Sequence, residues 1–301
     1  MGSLVVASRS FSKHAVLRQE TLKRYPDAKF NDKGLSLNGE SLVEFLSGHE
    51  NAITALETID ESILSNLPDL KVIGKYGVGL DMIDLKAMDK FKVKLGWTGG
   101  VNKRSVSELV ISSAIALLHR TVFANSEVKK GKWYQVKGRQ LSDCNFGIVG
   151  CGHIGKEIVK MLQPFNCKIL AHDILEFDEF YSQNNVTSVS LNELLRSSDV
   201  VTLHLPLNYS TKNIISKQRL SLLKKDAIFI NLARGGLVDE KALKQLLIEK
   251  KLAGAALDVF EIEPPVDHSF SEIDNVLITP HIGGSTEEAI LAMGLAAIDG
   301  L

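Results

Sequence analysis

Three residues in the second half of the chain have side chains suited to one reaction. Arg234 stands in the run Ile230-Asn-Leu-Ala-Arg-Gly-Gly-Leu-Val-Asp239, Glu263 in Ala256-Leu-Asp-Val-Phe-Glu-Ile-Glu-Pro-Pro265, and His281 in Ile278-Thr-Pro-His-Ile-Gly-Gly284. A guanidinium can hold a carboxylate through two parallel hydrogen bonds and polarise a carbonyl beside it. An imidazole can give that carbonyl's oxygen a proton and take it back in the reverse direction. A carboxylate next to the imidazole fixes its tautomer and favours the charged, donating form. Reduction of a 2-oxo acid needs these three services. Singly, each residue has a plainer reading: a salt-bridged Arg, a helix-flanking Glu, a structural His. Three together, each beside Gly or Pro where a strand should end, read as one catalytic set.

Upstream lies a second constellation. Asn145–Gly155 reads N-F-G-I-V-G-C-G-H-I-G, so Gly150, Gly152 and Gly155 satisfy G-x-G-x-x-G between an apolar strand pattern and a helical one. The first Gly makes the tight turn. The second lets backbone N–H groups approach a pyrophosphate, and the third permits close helix–strand packing with the phosphates at the helix N-terminus. His153 and Ile154 fill the variable positions, where the His153 backbone N–H would suffice for a phosphate. Asp173 follows Gly155 by 18 residues, after the next strand pattern. An acidic residue there takes both ribose hydroxyls and repels a 2′-phosphate, which favours NAD over NADP.

These groups need a scaffold. Short Val/Ile/Leu-rich runs alternate with amphipathic segments almost throughout. The spacing predicts strands over 4–7, 52–55, 71–75, 93–95, 146–149, 168–171, 200–203, 227–230, 254–257 and 276–278. Helical patterns such as 17–25, 154–162 and 241–249 lie between them. Alternating β and α with doubly buried strands means parallel sheets in an α/β protein. In such sheets the ligand crevice lies at the carboxyl ends of the strands, where Arg234, Glu263 and His281 would all emerge. Ser105-Val-Ser-Glu108 reads as a capping box opening one long helix through 109–130, and Ser285-Thr-Glu-Glu288 as another opening a last helix over 289–298. Trp97 and Trp133 flank the long helix and are expected to pack.

With these motifs in place the chain resembles the D-isomer-specific 2-hydroxyacid dehydrogenase family, above all its phosphoglycerate dehydrogenase-like and hydroxypyruvate- or glyoxylate-reductase-like branches. The resemblance runs from Gly74-Lys-Tyr-Gly-Val-Gly-Leu-Asp-Met-Ile-Asp84 through 102–109 and the glycine loop to 231–240, 254–265 and 279–286. It implies two doubly wound parallel-sheet lobes: a Rossmann NAD-binding domain over 98–284, and a discontinuous flavodoxin-like substrate domain over 1–97 and 285–301. It implies NAD contacts at Gly150–Gly155, Asp173, Leu205, Pro206, Leu232, Ala233, Arg234, Asp258, His281, Gly283 and Gly284, with Asp258 facing the nicotinamide carboxamide. It implies a substrate anion held by the turn Lys75, Tyr76, Gly77, Val78 and Gly79 together with Arg234 and His281. It also implies a homodimer built largely on the long helix. The family often has Arg where Lys75 stands, and Lys keeps the charge but loses the planar fork. The chain runs 17 residues past Gly284, so no C-terminal regulatory domain is expected on this polypeptide.

Composition narrows the classes. The 301 residues carry 35 Lys+Arg against 36 Asp+Glu, a formal net charge of −1. That balance gives no electrostatic footprint for nucleic acid or an anionic membrane. Cys144, Cys151 and Cys167 are too few for a disulfide framework and lack C-x-x-C spacing, so neither metal nor bridge is expected. With no signal-peptide pattern, the expectation is a cytoplasmic enzyme taking NAD and a small anionic 2-hydroxy or 2-oxo acid. Two other readings stay open. One is a phosphite-type dehydrogenase, since relatives with that activity also carry a Lys near this loop. The other is a non-enzymatic NAD(H)-sensing binding protein on the same fold, which can keep all three catalytic residues.

Overall fold

A computed structural model describes residues 2–301. The chain divides into two compact units, one from Met1–Asn102 with Ser285–Leu301, the other Lys103–Gly284.

The first unit is a parallel sheet of β1 (Leu4–Val6), β2 (Lys29–Phe30), β3 (Asn51–Thr54), β4 (Val72–Lys75) and β5 (Lys94–Gly96), in the order β2-β1-β3-β4-β5. Successive strand residues face opposite ways, and the burial follows that alternation. Val5, Ala52 and Ile73 join one apolar cluster, while Leu4, Val6 and Ile53 join the other. Helices therefore cover both faces, as a doubly wound sheet requires. One face receives the returning helix Glu287–Asp299, with Ala297 and Ile298 fully buried. It sits so close that a Cβ on Gly74 would lie 2.4 Å from the Ala297 carbonyl oxygen.

The second unit is a parallel sheet of β6 (Asn145–Val149), β7 (Lys168–His172), β8 (Val186–Ser188), β9 (Val200–Leu203), β10 (Ile228–Asn231), β11 (Gly254–Leu257) and β12 (Val276–Ile278). Its order is β12-β11-β10-β9-β6-β7-β8. The two-face rule holds again: Phe146, Ile148, Ile228 and Ile230 pack on one side, Val149, Val201, Leu203 and Phe229 on the other. The chain winds outward from β6 to β8, then resumes at β9 on β6's other side. That reversal is the topological switch point at which such sheets bind ligands. The α/β class and the doubly wound parallel sheets match the expected fold.

Several local expectations need correction. The long helix is two helices, Lys103–Leu118 and Thr121–Lys129, bent by 64°. Arg120 turns left-handed at φ 55°. Non-helical donors take the carbonyls there: Arg139 N–H bonds Leu118 O at 3.0 Å and the Thr121 hydroxyl bonds Ala116 O at 2.7 Å. No Gly or Pro marks this break, so the sequence does not announce it. Ser105 caps nothing. It lies within the first turn, and its hydroxyl donates to Gly283 O at 2.6 Å. The last helix is capped by Thr286, whose side chain accepts from Ala289 N–H, rather than by Ser285. Trp133 does not pack, being 83% exposed. Among the described residues no single helix is long and apolar enough to cross a membrane.

Candidate active site

The sheet β10-β11-β12 delivers the three candidate side chains from its carboxyl edge. Arg234 follows β10, where buried Asn231 shapes the turn: its side chain accepts from Ala233 N–H at 3.1 Å and donates to Arg234 O at 2.8 Å. The guanidinium is half-buried, and one of its donors reaches back to Ala233 O at 2.7 Å. Glu263 follows β11 and His281 follows β12. Their side chains meet, with Glu263 Oε2 2.7 Å from His281 Nδ1. A carboxylate only accepts, so Nδ1 carries the proton and Nε2 is left for exchange. The other oxygen, Oε1, accepts from Phe260 N–H at 3.0 Å.

His281 has φ 54°, in the left-handed region that a Cβ disfavours. Asp258 holds it there. Asp258 O accepts from His281 N–H at 2.9 Å, and its buried carboxylate accepts from Ile282 N–H at 2.7 Å, Gly283 N–H at 2.8 Å and the Thr279 hydroxyl at 2.6 Å. Asp258 is thus committed mainly to shaping the turn that presents the imidazole.

The glycine loop fits a dinucleotide. Gly150 turns at φ 94°, and its N–H donates to His172 O at 2.8 Å. A Cβ on Gly155 would lie 2.3 Å from Gly150 O, so helix His153–Leu162 approaches the strand as only glycine allows. A Cβ on Gly152 would meet nothing within 4 Å. That space, over the N–H groups of the helix start, is where a pyrophosphate needs room. His153 and Ile154 open the helix, with His153 exposed. Asp173, past the end of β7, folds against the loop and accepts from Cys151 N–H at 2.6 Å. Leu205 and Pro206 follow β9 across the switch point, where His204 O would be 2.6 Å from a Cβ on Gly150. Leu232 and Ala233 are buried and Gly284 half-buried beside the turns that carry Arg234 and His281.

His204 itself is chemically silent. Its Nε2 lies 2.9 Å from the Thr202 hydroxyl, its Nδ1 is buried without a partner, and burial pushes its pKa down to about 3. It stays neutral at physiological pH.

In the first unit, Lys75 ends β4 as a buried lysine. Its ammonium donates to Ala55 O and to Tyr76 O, the latter at 3.3 Å. Tyr76 turns inward onto Phe11, edge to face at 5.3 Å, so only its backbone belongs to the turn. Gly77 turns at φ 123°, and the Trp97 indole N–H donates to Val78 O at 3.0 Å. Gly79 completes this braced turn.

Sequence reasoning passed over Glu240. Glu240 is half-buried, and its carboxylate accepts from Glu261 N–H at 2.7 Å, two residues before Glu263. An acid in the first turn of a helix is common enough to draw no notice.

The chain is similar to known proteins. Residues 111–283 match the family model described as D-isomer specific 2-hydroxyacid dehydrogenase, NAD binding domain. A D-3-phosphoglycerate dehydrogenase of Methanocaldococcus jannaschii is 36% identical over 92% of this chain, which spans only 54% of that relative's length. A glyoxylate reductase of Thermofilum pendens is 39% identical over 77% of this chain and 71% of its own. The structure of D-lactate dehydrogenase from Aquifex aeolicus, complexed with NAD and lactic acid, superposes with a TM-score of 0.85 at 27% identity, covering 99% of this chain and 93% of that one. A glycine loop built for a dinucleotide, a matched NAD-binding domain and relatives at this identity lead to one assignment: the chain belongs to the D-isomer specific 2-hydroxyacid dehydrogenases, a family of NAD-dependent oxidoreductases.

Proposed function

We propose that this chain interconverts a small 2-oxo acid and its D-2-hydroxy acid, of the glyoxylate, hydroxypyruvate or phosphorylated three-carbon class. The observation that carries the reading is the 2.7 Å Glu263–His281 pair, set on the same sheet edge as the glycine loop. When bound, NAD supplies or accepts a hydride at nicotinamide C4. Arg234 holds the substrate carboxylate and polarises the C2 carbonyl. His281 Nε2 gives the proton that balances hydride arrival, one to O2 for each hydride to C2, and recovers it in reverse. Glu263 keeps Nδ1 protonated and steadies the imidazolium. The turn Lys75–Gly79 supplies backbone N–H groups and local positive charge for the anion. Gly150–Gly155, Asp173, Leu205, Pro206, Leu232, Ala233, Asp258, Gly283 and Gly284 form the cofactor's side of the site.

The test follows NADH absorbance with glyoxylate, hydroxypyruvate and phosphohydroxypyruvate, then NAD⁺ with phosphite. Turnover on a 2-oxo acid is expected. His281→Ala and Arg234→Ala should each lose about two to four orders of magnitude in kcat while NADH still binds. Full activity in both variants removes the catalytic assignment. Turnover with phosphite alone moves the chain to another reaction class, and no turnover at all leaves an NAD(H)-binding protein. The working form is a homodimer, a reading supported by the exposed Trp133 and Tyr134 beyond the helix Thr121–Lys129.

A further inference from the structure

Behind the Glu263–His281 pair stands a third carboxylate, and its contacts are with backbone. Glu240 is the first residue of the helix Glu240–Ile248, whose N-cap Asp239 accepts from Ala242 N–H at 2.9 Å. Its Oε1 accepts from Glu261 N–H at 2.7 Å. Packed against that same peptide is Gly235, the residue after Arg234. A Cβ on Gly235 would be 2.0 Å from the Phe260 carbonyl carbon and 2.2 Å from Glu261 N. The Phe260–Glu261 peptide is therefore held between the Arg234 turn and the Glu240 carboxylate. Phe260 N–H, one residue earlier, donates to Glu263 Oε1. Two successive peptides, Val259–Phe260 and Phe260–Glu261, thus connect the Glu240 carboxylate and the Arg234 turn to the carboxylate that orients His281.

We propose that Glu240 is a positioning residue for the proton-exchanging pair, acting through the peptide that leads to Glu263; this rests on the reading of His281 and Glu263 given above. Leaving a carboxylate half-buried here has an electrostatic cost. Burial, then the neighbouring Glu261 and Glu263, push the Glu240 carboxyl above its ordinary range, while the Glu261 N–H opposes them. A residue that only began a helix could be an exposed acid without that penalty. The charged groups around it are Glu261 and Glu263 from the loop, and Lys241 and Lys244 from its own helix, Lys244 being paired with Asp267 at 2.6 Å.

The experiment compares Glu240→Ala, Glu240→Asp and Glu240→Gln with the wild type by steady-state kinetics, NADH binding and a histidine NMR titration of His281, its signal assigned from H281A. Gln keeps the acceptor and drops the charge, Asp keeps the charge but falls short of the peptide, and Ala removes both. We expect E240A and E240D to lose roughly tenfold in kcat through a misplaced pair, with KM for the 2-oxo acid within about threefold and NADH affinity unchanged. E240Q should recover to within about threefold of wild type, because its amide oxygen still accepts from Glu261. The His281 midpoint should fall by roughly half a pH unit in E240A and E240D, since a loosened Glu263 stabilises the imidazolium less. Wild-type kcat and an unmoved His281 midpoint in E240D overturn the proposal, as does E240Q as impaired as E240A. Should E240A fail to fold, E240D and E240Q still decide it. Should the wild type turn over no 2-oxo acid, the functional reading fails by itself, and the NMR midpoint still tells whether Glu240 sets the pair.

Discussion

Two histidines near the carboxyl edge of one sheet have opposite surroundings. His281 is 49% exposed by side chain, left-handed in backbone, and paired with a carboxylate. A left-handed conformation costs a residue with a Cβ about 1–2 kcal/mol, and the four hydrogen bonds accepted by Asp258 offset it. Strain of this kind, held by a buried clamp, is typical of a functional position. His204 is the reverse: regular strand-end backbone, a buried ring, and a pKa near 3 through burial. Its depressed value has a consequence for stability. Above pH 6.5 both folded and unfolded states carry it neutral. Below that, the unfolded chain takes up a proton that the folded protein refuses until about pH 3. Stability should therefore fall on acidification through this window. Urea denaturation between pH 6.5 and 5 should show a shallower loss in His204→Gln than in wild type, by about 1 kcal/mol per pH unit; parallel slopes would place His204's protonation equal in both states. Arg234, Glu263 and His281 were legible in the sequence because each follows an apolar run and touches Gly or Pro. Glu240 was not, because its partner lies 21 residues away in Glu261 and side-chain reach leaves no mark on spacing.

At the scale of elements, two glycines three residues apart do different work. Gly155 is required by packing, since its absent Cβ is where Gly150 O sits. Gly152 has open space around its missing side chain, and its φ of −74° suits any residue. Gly155→Ala should cost roughly 1–3 kcal/mol of stability together with NADH binding. Gly152→Ala should melt within about 1 °C of wild type yet bind NADH at least about tenfold more weakly, because the methyl occupies pyrophosphate space. Differential scanning fluorimetry and fluorescence titration separate the two; an unaltered NADH affinity in G152A would count against the loop as the phosphate cradle. Ten strands were visible as apolar runs, to within a residue or two at their ends. The two that were not, β2 (Lys-Phe) and β8 (Val-Thr-Ser), are edge strands with a single apolar residue each, so no apolar run marks them. The bend at Arg120 escaped for a related reason: it is imposed by donors from Arg139 and Thr121 rather than by a breaker in the helix itself.

At the scale of the whole molecule, assembly is the first thing to measure. Past the helix Thr121–Lys129 the chain runs through Trp133 and Tyr134, 83% and 56% exposed. Large aromatic faces left in water carry a free-energy cost that a second copy can remove. Sedimentation velocity should find a dimer at micromolar concentration and a monomer for Trp133→Glu; a monomeric wild type would refute the homodimer. Alternation of strand and helix leads to parallel sheets in an α/β protein, which is why the fold class could be read before any coordinates, while the flavodoxin-like and Rossmann lobes were implied by the family resemblance. Where the first unit obtains its last helix could not be read from alternation at all. Its sheet is complete by Gly96, yet Gly74 and Gly96 carry no side chain because residues 297 and 300 press on them. Those residues are made only after the whole second unit. About 180 residues of the second unit emerge in between, a delay of roughly 10–40 seconds at ordinary rates of synthesis. During that interval one apolar face of the sheet has Phe11 and Leu17 over it but lacks Ala297 and Ile298. On the ribosome, the sheet of the first unit therefore waits for its last helix until the second unit has been made.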